Sequence, residues 1–142
     1  MVAPAYVASL AIGVIVAGSA LGGCARPVAV QAPSTSTACE PVLAAAPIRV
    51  LGELQRETTP AQAAAIAWGD PPIVLVCGVD IDVPADAQIV EVNGIAWVAQ
   101  NSDDGTVFTT FEEDPVIQVR VPAAYRPEVE VLTDLDAMLA EG

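Results

Sequence analysis

Residues 89–99 read Ile89-Val90-Glu91-Val92-Asn93-Gly94-Ile95-Ala96-Trp97-Val98-Ala99. Asn-Gly between two apolar runs is the strongest short signal for a two-residue hairpin, because both central residues of that turn take positive φ. Antiparallel strands are therefore expected over 89–92 and 95–99. Downstream, Asp103-Asp104-Gly105 marks a second tight turn ahead of a strand over 106–111. Residues 116–121 then alternate Val116, Gln118 and Arg120 against Ile117, Val119 and Val121. The apolar excess predicts that both faces of this strand are partly buried.

Upstream, Ile73-Val74-Leu75-Val76-Cys77 is a continuous apolar, β-branched run, the pattern of a buried central strand. Trp68-Gly69-Asp70-Pro71-Pro72 turns the chain into it. Pro60 stands where proline opens a helix, so an alanine-rich helix is expected over 61–67. Residues 50–56 alternate as a strand, and 40–46 form a short helical turn bounded by Pro41 and Pro47. A last helix opens at Pro127-Glu128, with Glu128 and Glu130 in a first turn that favours acids. Leu132, Leu135, Met138 and Leu139 share one of its faces. The expected fold is α+β: a small antiparallel sheet of about five strands with helices packed on one side.

The chain has 142 residues, room for one domain, and 54% are hydrophobic, which argues against disorder. Eighteen acids face five bases, for a net charge of −13; all five bases are arginine. Such a balance repels phosphate backbones, so no nucleic-acid partner is expected. There is no histidine, which removes the usual general base, every histidine-dependent triad and the commonest zinc ligand.

From Val2 to Ala25 no side chain is charged. Leu21-Gly22-Gly23-Cys24 within that run matches a bacterial lipobox: an aliphatic residue, two small ones, then cysteine. Residues 1–23 are therefore expected to be a lipoprotein signal peptide, with Cys24 carrying the lipid. Two acyl chains suit stable anchoring better than one. The alternative is a single N-terminal transmembrane helix, since about 20 residues cross a bilayer. Met1 to Tyr6 carry no base, and the nearest, Arg26, follows the run. By the positive-inside rule alone Arg26 favours a cytoplasmic domain. Both readings place the protein at a membrane.

Residues 24–38 hold the anchor cysteine, Pro27, Pro33 and Ser34-Thr35-Ser36-Thr37, and read as a flexible tether. The folded unit then spans 39–142. Cys39 and Cys77 remain as an even pair, which an exported protein normally oxidises. Closing that loop stabilises a fold by roughly 4 kcal/mol in the chain-entropy model. In a cytosolic setting the same two residues would be buried free thiols.

Catalytic signals are sparse. No Walker, GxGxxG, HExxH or GxSxG pattern occurs, and Ser102 is the one serine past the tether. Cysteine nucleophiles usually need a histidine partner. Paired carboxylates are the surviving chemistry, from Asp70, Asp80, Asp82, Asp103, Asp104, Glu112, Glu113 and Asp114. Most fall in expected turns, where acids are ordinarily just solvated. Asp80-Ile81-Asp82 and Glu112-Glu113-Asp114 lack a calcium-loop pattern, so neither a metal nor a cofactor is expected. Trp68, Asp70 and Trp97 are the candidate binding residues, since tryptophan stacks on sugars and anchors peptides. Core packing is the competing role for both rings.

The run from Ala67 to Val79, with Trp68-Gly69-Asp70-Pro71-Pro72 leading to Cys77-Gly78-Val79, resembles an actinobacterial family of exported, membrane-attached proteins, domain of unknown function 3515. The N-terminal apolar segment, residues 52–56, Trp97, Phe108-Thr109-Thr110-Phe111 and 119–122 extend the resemblance over most of the chain. It implies a cell-envelope location and a pairing of Cys39 with Cys77, and it brings no activity or substrate. Val76 and Gln55 stand where arginines are expected, so an anion-binding role for the family's basic residues is not carried over. The expected function is a non-enzymatic accessory or binding lipoprotein on the extracytoplasmic face of the membrane, contacting an envelope protein. The rival is an extracytoplasmic carboxylate hydrolase acting on wall polysaccharide.

Overall fold

Period-two alternation dominates the described residues, 25–140, of the computed structural model. The elements in order are β1 (Val28–Ala29), α1 (Glu40–Ala44), β2 (Arg49–Val50), β3 (Glu53–Arg56), β4 (Thr58–Thr59), β5 (Ala65–Trp68) and β6 (Ile73–Cys77). They continue with β7 (Gln88–Val92), β8 (Ile95–Ser102), β9 (Gly105–Thr110), β10 (Ile117–Pro122), a 3-10 turn (Ala123–Tyr125) and α2 (Glu130–Ala140). One eight-stranded antiparallel sheet runs β2-β3-β5-β6-β10-β9-β8-β7, and β1 pairs with β4 in a separate two-stranded ladder. The α+β class holds, with a larger sheet than the expected five strands.

The turn signals at 93–94 and 103–105 are obeyed. Asn93 and Gly94 take φ of 49° and 86°, and Val92 pairs with Ile95. At the second turn Ser102 pairs with Gly105, whose backbone lies so close to β10 that a Cβ would meet the Val121 carbonyl oxygen. Ile73–Cys77 is the buried strand expected, paired on one side with β5 and on the other with β10.

The core lies between one face of this sheet and the two helices. Ile66, Trp68, Leu75, Val119, Phe108 and Trp97 meet Val42 of α1 and Val131, Leu132, Leu135 and Met138 of α2. Helix α2 packs against β2 and also against β7, the two opposite edges of the sheet. Eleven residues make a helix only about 16 Å long. Eight flat strands would span about 34 Å. The sheet therefore curls around α2.

Three local expectations are corrected. Residues 61–67 do not form a helix; Ala65–Trp68 is a strand in which Ile66 and Trp68 face the core and Ala65 packs on the opposite side with Ala63 and Val76. Alanine's helix preference is worth well under ~1 kcal/mol per residue, less than ladder pairing and burial on both faces provide. Residues 50–56 are not one strand but a hairpin: Leu51 and Gly52 take φ of 48° and 81°, and Val50 pairs with Glu53. Positive φ disfavours leucine, and here the Leu51 N–H is held by Asp134 Oδ2 of α2 at 2.7 Å. Last, the expected tether is packed on the domain from Val28 onward. Val28 N–H donates to Glu57 O at 2.8 Å, Val30 N–H to Thr59 O at 3.0 Å, and Ala64 N–H to Pro33 O at 2.8 Å. Val30 and Ala32 cover Ala63, Ala65 and Val76, burying apolar surface that a free tether would leave wet.

Cys39, just ahead of α1, is joined to Cys77 at the end of β6 in a buried disulfide closing 38 residues of sequence separation. Cys39→Ser and Cys77→Ser should each lower stability by about 4 kcal/mol, and the double variant should be no worse than either single; additive losses in thermal melts would contradict the bond. Leu135 is fully buried against the sheet, so Leu135→Ala should cost about 2–5 kcal/mol in denaturant titrations, whereas Val129→Ala, at a site 39% exposed, should cost less than about 0.5 kcal/mol.

Candidate functional site

The curled sheet turns one face to the helices, and on the other face alternate residues of β6, β10, β9 and β8 meet in rows. The register places Val74 beside Arg120, Arg120 beside Val107, and Val107 beside Gln100. Gln118 lies in the neighbouring row, between Val76 and Thr109. Val74, Gln100, Val107, Gln118 and Arg120 floor an open cleft of about 910 Å³, walled by Pro71 and Pro72 of the β5–β6 turn, by Asn101, Ser102 and Asp104 around the β8–β9 turn, and by Ala123 and Ala124.

Hydrogen bonds set its interior. Gln118 Nε2 donates to Thr109 Oγ1 at 3.3 Å, and Arg120 Nε donates to Gln118 Oε1 at 3.4 Å. The exposed Arg120 guanidinium makes no ion pair among the described residues, where Arg126–Glu128, at 3.5 Å, is the one salt bridge. Two Arg120 amino groups thus remain free to donate above an apolar floor. Tyr125 fastens the cleft's wall: its phenol donates to Pro71 O at 2.7 Å, tying the 3-10 turn to the β5–β6 turn. Burial, and then the nearby Glu53 and Asp70 carboxylates, push that phenol above its usual value of 10.0.

The candidate residues from the sequence are not brought together. Trp68 is 0% exposed, its indole N–H bonded to Pro47 O at 2.8 Å, and Trp97 is 1% exposed. Neither ring offers a face to a ligand, so both leave the binding set for the core. Asp70 is exposed in the β5–β6 turn. Asp80 and Asp82 lie in the β6–β7 connection, Asp103 and Asp104 between β8 and β9, and Glu112, Glu113 and Asp114 between β9 and β10. All are exposed, and the cleft itself is lined by one acid among the described residues, Asp104. Cys24 lies outside the described residues.

Residues 3–141 match the family described as protein of unknown function, DUF3515. The chain belongs to that family. No curated protein and no solved structure matches it. In this DUF3515 chain the cleft sets a guanidinium and amides around a half-buried apolar strip, groups that can hydrogen-bond a carbonyl or a carboxylate.

The sequence reading missed Arg120, Gln118 and Gln100 as site residues, although the signal for the first two was present. The alternation in 116–121 already set Gln118 and Arg120 on one face, whereas Gln100 lay one residue beyond the strand expected over 95–99 and joins it because β8 runs on to Ser102.

Tyr125→Phe should loosen the wall and lower stability by up to about 1 kcal/mol. Because the folded phenol ionises above 10.0, its contribution is present below that pH and is lost as pH rises through the folded value. Wild-type melts should therefore drop more steeply above pH ~10 than those of Tyr125→Phe; parallel curves would contradict the assignment.

Proposed function

We propose that this protein is a membrane-anchored, extracytoplasmic accessory protein that binds a partner through the open sheet face and turns nothing over. The observation that carries the export reading is the Cys39–Cys77 disulfide, since such bonds persist outside the reducing cytosol. It joins the uncharged run Val2–Ala25 and the lipobox Leu21-Gly22-Gly23-Cys24, read as a signal peptide with Cys24 the lipidated residue. No helix among the described residues is long and apolar enough to cross a membrane.

The choice of binding over hydrolysis rests on the carboxylates. Glycoside hydrolysis uses two acids about 5–10 Å apart across the scissile bond. Here the acids of the candidate pool sit on four separate connections, and the cleft on the open sheet face is lined by one of them, Asp104. The partner suited to the cleft is an envelope protein presenting an extended segment, with Arg120 meeting a carboxylate or backbone carbonyls.

The deciding measurement is the intact mass of the protein purified from membranes, with and without reductant and thiol alkylation. The expected mass begins at Cys24 with a diacylglyceryl group and gains no alkylation until reduction. An unprocessed chain with alkylatable thiols would overturn the lipoprotein and export readings together.

A further inference from the structure

Of five arginines in a chain of net charge −13, three line one depression. Arg49 and Leu54 of the β2–β3 hairpin, Arg56, the β5–β6 turn at Gly69 and Asp70, and the incoming Ala25 and Arg26 enclose about 590 Å³. Backbone carbonyls position the guanidinium groups of Arg49 and Arg56 without neutralising them. Arg49 Nη1 donates to Gly52 O at 2.7 Å, Arg56 Nη1 to Gly69 O at 2.8 Å, and Arg56 Nη2 to Arg26 O at 2.8 Å. Arg56 Nε is buried with no hydrogen-bond partner. Glu53 and Asp70 share the depression, yet none of the three arginines is in a salt bridge among the described residues. Three cations against two carboxylates reverse locally the sign of the molecule.

Apolar side chains accompany this charge. Leu54, paired with Arg49 in the hairpin, is 52% exposed, and Ile48 beside Arg49 is 72% exposed. Arginines beside exposed aliphatic residues are suited to the headgroup layer of a bilayer. Ala25 and Arg26, which line this same depression, stand at the end of the uncharged run in the sequence.

We propose that Arg26, Arg49 and Arg56 dock the domain on its own membrane by taking the phosphate of an anionic phospholipid headgroup, with Leu54 and Ile48 entering the headgroup layer. The docking rests on the membrane attachment proposed above. The rest of the acidic surface is repelled by the same lipid, so this face turns toward the bilayer and the sheet-face cleft is held in a fixed orientation.

The test uses the full chain with phosphatidylcholine vesicles, with and without phosphatidylglycerol, and reads phenylglyoxal modification of each arginine by mass. Arg120 and Arg126 serve as internal references. Modification of Arg49 and Arg56 should slow by about fivefold on anionic vesicles, as expected for arginines held at a charged surface, while both references stay unchanged. Arg49→Gln with Arg56→Gln should abolish the protection of Arg26. Equal rates on both vesicles would overturn the proposal. So would the same protection from glycerol phosphate in detergent, which would make the ligand a soluble phosphate. Flotation with phosphatidylcholine alone reports attachment separately: a chain that fails to float yet is protected on anionic vesicles loses its anchor and keeps its docking face.

Discussion

Helix α2 holds the two ends of the sheet at once, and that contact sets the shape of the domain. Its apolar face, Val131, Leu132, Leu135 and Met138, is buried in the curl of the sheet, while Asp134 on the same helix binds the Leu51 N–H of the β2–β3 turn. A flat eight-stranded sheet has an inner face too wide for one short helix to cover. Curling solves the coverage, and it needs β6 held firmly in the middle. There β6 is paired on both sides, and the disulfide ties its end to the start of α1. The staple and the helix thus act on the same layer from different directions: one fastens α1 to the central strand, the other gathers the edges.

Covering one face leaves the other to be satisfied differently. Near β5 and β6 the segment around Val30 and Ala32 lies over Ala63, Ala65 and Val76, and the small alanines leave room for that backbone. Farther along the sheet, β10 and β8 carry Arg120, Gln118 and Gln100, which are polar enough to face water. The cleft is the step between these two treatments of one surface. Its floor keeps Val74 and Val107 half-buried, so a ligand there gains apolar contact as well as hydrogen bonds.

What was legible in the sequence had a local cause. Asn93-Gly94 and Asp103-Asp104-Gly105 need only their own backbone, and Ile73–Cys77 is apolar enough to be central in any arrangement. The face of α2 followed from its spacing, although the helix begins at Glu130 rather than at Pro127-Glu128. The misreadings had distant causes. Leucine at positive φ in Leu51-Gly52 makes sense only beside Asp134, 83 residues away. Residues 65–67 of the expected helix became part of a strand because Ile66 and Trp68 found a core on one side while Val30 and Ala32 covered the other. The same long-range packing took Trp68 and Trp97 out of the candidate site and put Arg120, unremarkable in sequence, into it.

The arginine distribution is hardest to explain as a folding device. A fold seeking to relieve its negative charge would spread its few cations among the acids, yet one ion pair, Arg126–Glu128, forms among the described residues. Arg26, Arg49 and Arg56 gather instead in one depression beside the β2–β3 hairpin, the donors of Arg49 and Arg56 partly spent on backbone carbonyls and Arg56 Nε without a partner. A buried donor without a partner costs about 1–3 kcal/mol, and crowding three like charges adds repulsion to it. Glu53 and Asp70 in the same depression offset part of that repulsion, while Arg56 Nε stays without a hydrogen-bond partner. Arg120 stands alone in the cleft on the open sheet face. Four of the five arginines of an acidic molecule are therefore divided between two surface depressions, an arrangement that electrostatic recognition at each of them would use.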